Sequence, residues 1–148
     1  MPILSYIEKT KLEQYKKEQQ NLLFNACERG DLEEVKKIVE NNRRTNEDWS
    51  GDALKIRADV KWLIDAQCDT CWTPIMFAAR YGHLSIVEYL AQQGAILEHS
   101  STYNPLHAAC FGQSKETVQY LIYKCKCDVN PQTQEKTPLY IATTQLTI

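Results

Sequence analysis

The chain has 148 residues, 43% of them hydrophobic and 24% charged, with a formal net charge of -2. That is one domain's worth of ordinary globular composition, long enough to bury a core without disulfide staples. The charge excludes a dedicated nucleic-acid binder, which needs a clear excess of Lys and Arg to neutralise phosphates. No apolar run approaches the roughly 18 residues of a membrane span.

Residues 1–20 read as a separate piece, either a capping helix or a solvated or partner-bound arm. The stretch "YIEKTKLEQYKKEQQ" is rich in helix formers, with Leu12, Tyr15 and Leu22 on a rough stripe. Ile3, Leu4 and Ile7 make a small anchor. The start turns charged too soon for a signal peptide. Six cysteines beside a normal core suit a reducing compartment, so cytoplasm, or nucleus, is the expected location.

The rest, residues 21–148, repeats. "NLLFNACERGDLEEVKKIVENN" begins at Asn21, "TPIMFAARYGHLSIVEYLAQQGA" at Thr73, "NPLHAACFGQSKETVQYLI" at Asn104 and "TPLYIATTQLTI" at Thr137. Pro74, Pro105 and Pro138 are 31 and 33 residues apart. The units fall near 21–42, 69–98, 101–130 and 133–148, with an insertion near 42–65. Asn21, Thr73, Asn104 and Thr137 stand as helix N-caps, and a Pro after three of them suits the first helical position. Small residues recur at one depth: Ala26-Cys27, Ala78-Ala79, Ala109-Cys110 and Ala142-Thr143. They predict a close helix–helix seam.

Gly30 and Gly82 stand where a first helix must turn back. Asp31 with Glu34 suits the start of the next helix. Apolar faces of period 3.6 follow: Leu32, Val35, Ile38, Val39; Ile86, Val87, Leu90; Val118, Leu121, Ile122. Gly94 ends the middle one. Each unit is a helical hairpin that buries its face only by stacking.

"TPIMFAARYGH" and "NPLHAAC" resemble the T-P-L-H-x-A-A-x-x-G-H signature of the ankyrin-repeat family, at the right period. The resemblance implies an all-α solenoid of stacked helical hairpins. Three departures stand out. Where that family's fingers carry a glycine three residues before the Pro, this chain has Cys71, Thr102 and Glu135, and irregular or truncated fingers are expected. The insertion begins as a polar loop and continues as a short helix or strand carrying Ile56, Val60, Trp62 and Leu63. It either packs its Trp residues on repeats one and two or serves as a binding loop. The fourth unit has a first helix alone, exposing Leu139, Ala142 and Leu146, and further repeats or a neighbouring subunit are expected to cover that end. A long loop after the first repeat and an "AACF" third unit are also similar to some ankyrin-repeat substrate receptors of cullin ubiquitin ligases.

"CDTCWTP", residues 68–74, invites a zinc or redox reading. Cys125 and Cys127 are the other cysteine pair, two repeat steps away at roughly 16–20 Å, beyond what one zinc with ~2.3 Å bonds spans. Cys71 lies outside the first turn of the helix that begins at Pro74, so no helix N-terminus stabilises its thiolate. His83 and His107 stand where histidines of the family hold loops and helix starts. No metal, cofactor or catalytic group is therefore assigned, and the chain is read as non-catalytic.

What remains is surface. The resemblance implies a concave groove lined by finger residues and first helices. The positions that match are Trp72, Phe77, Arg80, Tyr81, Tyr103, Phe111, Lys136 and Ile141. Five are aromatic, the type enriched at binding hot spots, although Trp72 and Phe77 are also candidates for cover by the insertion. The expected function is a protein-binding module, an adaptor or scaffold taking a protein or peptide. The alternatives are a structural subunit of a larger assembly and the regulatory domain of an enzyme.

Overall fold

The computed structural model describes residues 2–50, 60–98, 103–130 and 137–146. Among them lie eight α-helices and no strand: α1 (Pro2–Arg29), α2 (Leu32–Ser50), α3 (Lys61–Ile64), α4 (Pro74–Arg80), α5 (Leu84–Gln92), α6 (Pro105–Phe111), α7 (Lys115–Tyr123) and α8 (Pro138–Leu146). Helices α1, α4, α6 and α8 stack in one layer, each on the next. Helices α2, α5 and α7 form a second layer, each paired with the first-layer helix that precedes it. This is an all-α repeat solenoid.

The seam between layers is built from small side chains. Ala26, Cys27, Ala78, Ala79 and Ala109 have no exposed surface, and Cys110 is 9% exposed. Larger apolar residues fill the space on either side, among them Leu23, Val35, Ile75, Met76, Ile86, Leu90, Leu106 and Leu121. These carry the hydrophobic stabilisation, about 1.5–3 kcal/mol for each large side chain fully buried. Ala142 is half-buried and Thr143 exposed, because no helix stacks beyond α8 in the described residues.

Proline starts three of the first-layer helices where the spacing predicts, at Pro74, Pro105 and Pro138. The caps before them differ. Asn104 forms a full reciprocal box: its Oδ1 accepts the His107 N–H at 3.0 Å, and its own N–H donates to His107 Nδ1 at 3.1 Å. The Tyr140 N–H donates to Thr137 Oγ1 at 3.2 Å. Thr73 holds the cap conformation but makes no side-chain cap bond, and its hydroxyl is buried without a partner. Met76 stands where His107 stands in the next unit and offers no nitrogen or oxygen acceptor in its side chain, and its N–H donates to the Thr73 carbonyl at 3.1 Å rather than to the hydroxyl.

The expected cap at Asn21 is corrected. Residue 21 lies inside α1, which runs unbroken from Pro2 to Arg29 and fuses the N-terminal segment with the first helix of the stack. Leu22 replaces the proline of the other units, and no Gly or Pro interrupts "KKEQQNLLFNA", so the helix has no reason to stop. Leu12, Tyr15 and Leu22 are exposed, as are Tyr6 and Ile7.

The polar loop expected from Asn42 is corrected as well. Helix α2 continues through Asn42 to Ser50. Asn42 is buried: it accepts the Tyr15 hydroxyl at 3.1 Å and donates to Gln19 Oε1 at 3.0 Å and to the Ile38 carbonyl at 2.8 Å. A polar residue that binds the neighbouring helix prolongs α2 rather than ending it. The later part of the insertion gives α3. Val60, Leu63 and Ile64 are buried, and Trp62 is half-buried against the core. Lys16 lies over the Trp62 ring at 5.5 Å, and Gln20 donates to the Trp62 carbonyl at 3.0 Å. Ile56 lies outside the described residues.

Turns after first-layer helices use positive φ: Gly30 at 82°, Gly82 at 72° and, in the third unit, Gln113 at 56°. Asp31 then caps α2, its Oδ1 accepting the Glu34 N–H at 3.0 Å. His83 fills the space beside Gly30 and its Nε2 donates to the Glu28 carbonyl at 3.0 Å, tying one unit to the one before.

Candidate binding face

The finger before α4 is a three-residue loop, Asp69-Thr70-Cys71. The Cys71 N–H donates to the Cys68 carbonyl at 2.8 Å, and the Cys68 N–H donates to the Trp72 carbonyl at 3.0 Å. Cys71 has φ 62°, the left-handed place that glycine takes in such hairpins. The finger is thus truncated to one closing pair, and its turn delivers Trp72 to the edge of α4. Thr102 and Glu135 lie outside the described residues.

Around Trp72 runs a line of rings that crosses three units. Phe24 of α1 meets Phe77 of α4 edge-on at 5.4 Å between centroids. Phe77 meets Trp72 at 5.7 Å, Trp72 meets Phe111 of α6 at 6.4 Å, and Phe111 meets Tyr103 at 6.0 Å. Tyr103 also sits edge-on to His107 at 5.6 Å, which anchors it to the α6 capping box. Phe24, Phe77, Trp72, Phe111 and Tyr103 are each half-buried. They hold one another in place and still present surface, where a pair of rings adds roughly 0.5–1.5 kcal/mol beyond its buried area.

Gly112 makes the crossing between units possible. A Cβ there would lie 1.6 Å from the Arg80 carbonyl oxygen. Its φ of -80° is ordinary, so what the site needs is the missing side chain, letting the end of α6 abut the end of α4. That contact brings Phe111 to Trp72.

Arg80 closes the site on the solvent side. It is exposed, and its guanidinium carbon lies 5.5 Å from the centroid of Trp72 and 5.8 Å from that of Tyr81. Tyr81 stacks on His83 at 6.4 Å, and its hydroxyl donates to Glu28 Oε1 at 3.3 Å.

Of the eight positions singled out from the sequence, six meet here: Trp72, Phe77, Arg80, Tyr81, Tyr103 and Phe111. Ile141 does not present a surface: it is 1% exposed. Helix α8, which carries it, packs on α6, and on the same helix Leu139 and Tyr140 are exposed. Lys136 lies outside the described residues. Phe24, absent from the sequence-based set, begins the line. Its signal was an aromatic one unit upstream of Met76 in the aligned register.

The cysteines divide by burial. Burial pushes the Cys27 thiol up to about 12. It pushes Cys127 up to about 12 as well, with Cys125 and Glu98 adding to the shift. Cys110 and Cys125 are raised by the same cause. Cys71 is exposed, and Cys68 lies 3.0 Å from the Thr70 hydroxyl. Among the described residues no group of three or more His, Cys, Asp or Glu is placed to hold a metal ion, and no helix is long and apolar enough to cross a membrane.

A family model described as ankyrin repeats, three copies, matches residues 53–133. The chain belongs to the ankyrin-repeat family. It is 29% identical over 119 residues to Palmitoyltransferase AKR1 of Lachancea kluyveri, an alignment covering 66% of this chain and 16% of that protein. It is 30% identical over 129 residues to the Sex-determining protein fem-1 of Caenorhabditis elegans, covering 80% of this chain and 18% of that protein. The chain spans less than a fifth of the length of either relative.

Proposed function

We propose that the chain is a non-catalytic protein-binding module and that the ring line from Phe24 to Tyr103 is its docking surface. One observation carries this reading. Five aromatic rings from three units are locked together by mutual contact yet remain partly open to solvent. Rings fixed in advance lose little entropy on binding, and aromatic anchors dominate interface energetics. The repeats themselves support a role in protein–protein interaction. The partner is a protein segment or peptide laid across the first-layer helices. Six free cysteines favour a reducing compartment, cytoplasm or nucleus.

Affinity purification followed by mass spectrometry tests the reading, with the wild-type chain and a Trp72→Ala, Phe111→Ala variant as paired baits. Partners retained by the wild type and lost by the variant, at an unchanged fold, support it. Partners kept equally by both overturn it.

A second reading, a structural subunit of a larger assembly, is favoured by apolar side chains far from this surface. Leu139 and Tyr6 are each 72% exposed. In that case interactions would map to α8 and the start of α1 and survive loss of Trp72.

A further inference from the structure

Arg80 has features that the apolar part of the site does not explain. It is exposed at the end of α4, between the rings of Trp72 and Tyr81. Tyr81 is itself fixed by its bond to Glu28 and its stacking on His83. Ring contact restrains the guanidinium and leaves its N–H fork unused: among the described residues no carboxylate and no hydrogen-bond acceptor reaches it. A long side chain normally loses much rotamer freedom when it captures a ligand, and here the rings have already restricted it. An arginine so held is suited to bidentate recognition of a planar anion.

We infer that Arg80 reads an acidic side chain of the bound segment: the partner places an Asp or Glu carboxylate on the guanidinium and an apolar residue beside it against Trp72 and Phe111. This rests on the docking surface proposed above and adds the chemistry of what docks there. Two observations favour a carboxylate over a phosphorylated side chain. Arg80 is the one cation among the described residues in ring contact along the line, whereas phosphorylated motifs are read by clusters of arginines. The Glu28 carboxylate also lies just behind Tyr81, and it repels a group of nearly two negative charges more than a group of one.

The test uses a displayed library of random peptides selected on the immobilised chain, with the binding of selected peptides followed by fluorescence polarisation. Selected peptides should carry an Asp or Glu next to an apolar residue. Changing that acid to Asn or Gln should weaken binding to the wild type about tenfold. The same change should have little effect on Arg80→Met, which keeps the length and the ring contact without the charge. Arg80→Glu should prefer peptides with Lys at that place. The inference is overturned by selected peptides that lack an acid, by an acid whose removal costs as much in Arg80→Met, or by a synthetic peptide with phosphoserine in the acid's place that binds more tightly than the Asp or Glu form. If Trp72→Ala abolishes binding and Arg80→Met does not, the docking surface stands and the acidic partner falls. If selected peptides ignore both changes, or none is enriched, both readings fall.

Discussion

Cys71 shows most directly how a single residue carries the cost of this sequence's departures. Its φ of 62° is a place that residues other than Gly, Asn and Asp rarely take, and the strain is about 1–2 kcal/mol. Cys71→Gly relieves it but adds backbone freedom to the unfolded chain, roughly 0.5–1 kcal/mol in the other direction. The expected net gain of about 0.5 kcal/mol should raise the melting temperature by about 2 °C. Cys71→Ala should give no such gain, and calorimetry distinguishes the two. The glycine vacancy was legible in the sequence. That the turn keeps glycine's geometry was not, because the bonds that enforce it, from the Cys71 N–H to the Cys68 carbonyl and from the Cys68 N–H to the Trp72 carbonyl, depend on the fold.

The buried thiols act in the alkaline range. The Cys27 thiol ionises at its ordinary value of 9.0 when unfolded and near 12 when folded. Above pH 9 the unfolded chain loses a proton that the folded one keeps, so stability falls as pH rises from about 9 toward 12. Cys127 adds to the same fall. Below pH 9 both are protonated in either state and contribute no pH dependence. Denaturant unfolding from pH 7 to 10.5 should show the decline, and Cys27→Ala should flatten part of it. Cys27 is buried with its thiol held protonated, whereas Cys71 is exposed, so an alkylating reagent at about pH 8 should label Cys71 long before Cys27.

At the scale of helices and turns, the legible boundaries were those with a local chemical cause. Pro74, Pro105 and Pro138 each begin a helix, and Gly30, Gly82 and Gly94 each follow one with positive φ. The misread boundaries had no such cause. Asn21 can cap a helix, but nothing before it breaks one, and α1 runs through. Asn42 and its polar followers look like a loop, yet Asn42 is satisfied by Tyr15 and Gln19 across the helix pair. Gly112 gives this scale a test. Its Cβ would strike backbone, the Arg80 carbonyl, which cannot step aside as a side chain does. Gly112→Ala should cost about 3 kcal/mol, at the upper end of overpacking penalties. Gly94→Ala meets nothing within 4 Å and should cost the strain of its positive φ, about 1–2 kcal/mol, less the roughly 0.5–1 kcal/mol by which alanine restricts the unfolded chain. Equal losses in denaturant titrations of the two would contradict the close approach of α4 and α6.

For the whole molecule, stacking does what no unit does alone. It places Trp72 of one finger against Phe111 of the next unit, and Phe77 against Phe24 of the one before. The repeat register made Trp72, Phe77, Tyr103 and Phe111 legible as neighbours. It could not reveal that Ile141, at the Phe77 position, is buried. Register fixes sequence position, but burial depends on what packs beside it. The central claim is that this ring line is a docking surface. Isothermal titration of a selected peptide or captured partner against wild type and Trp72→Ala, Tyr103→Ala tests it most directly, with thermal unfolding of both proteins in parallel. A docking surface on these rings should show a loss of about 2 kcal/mol or more, roughly thirtyfold in affinity, with a cooperative fold retained. Unchanged affinity, or a variant that no longer folds, would contradict it.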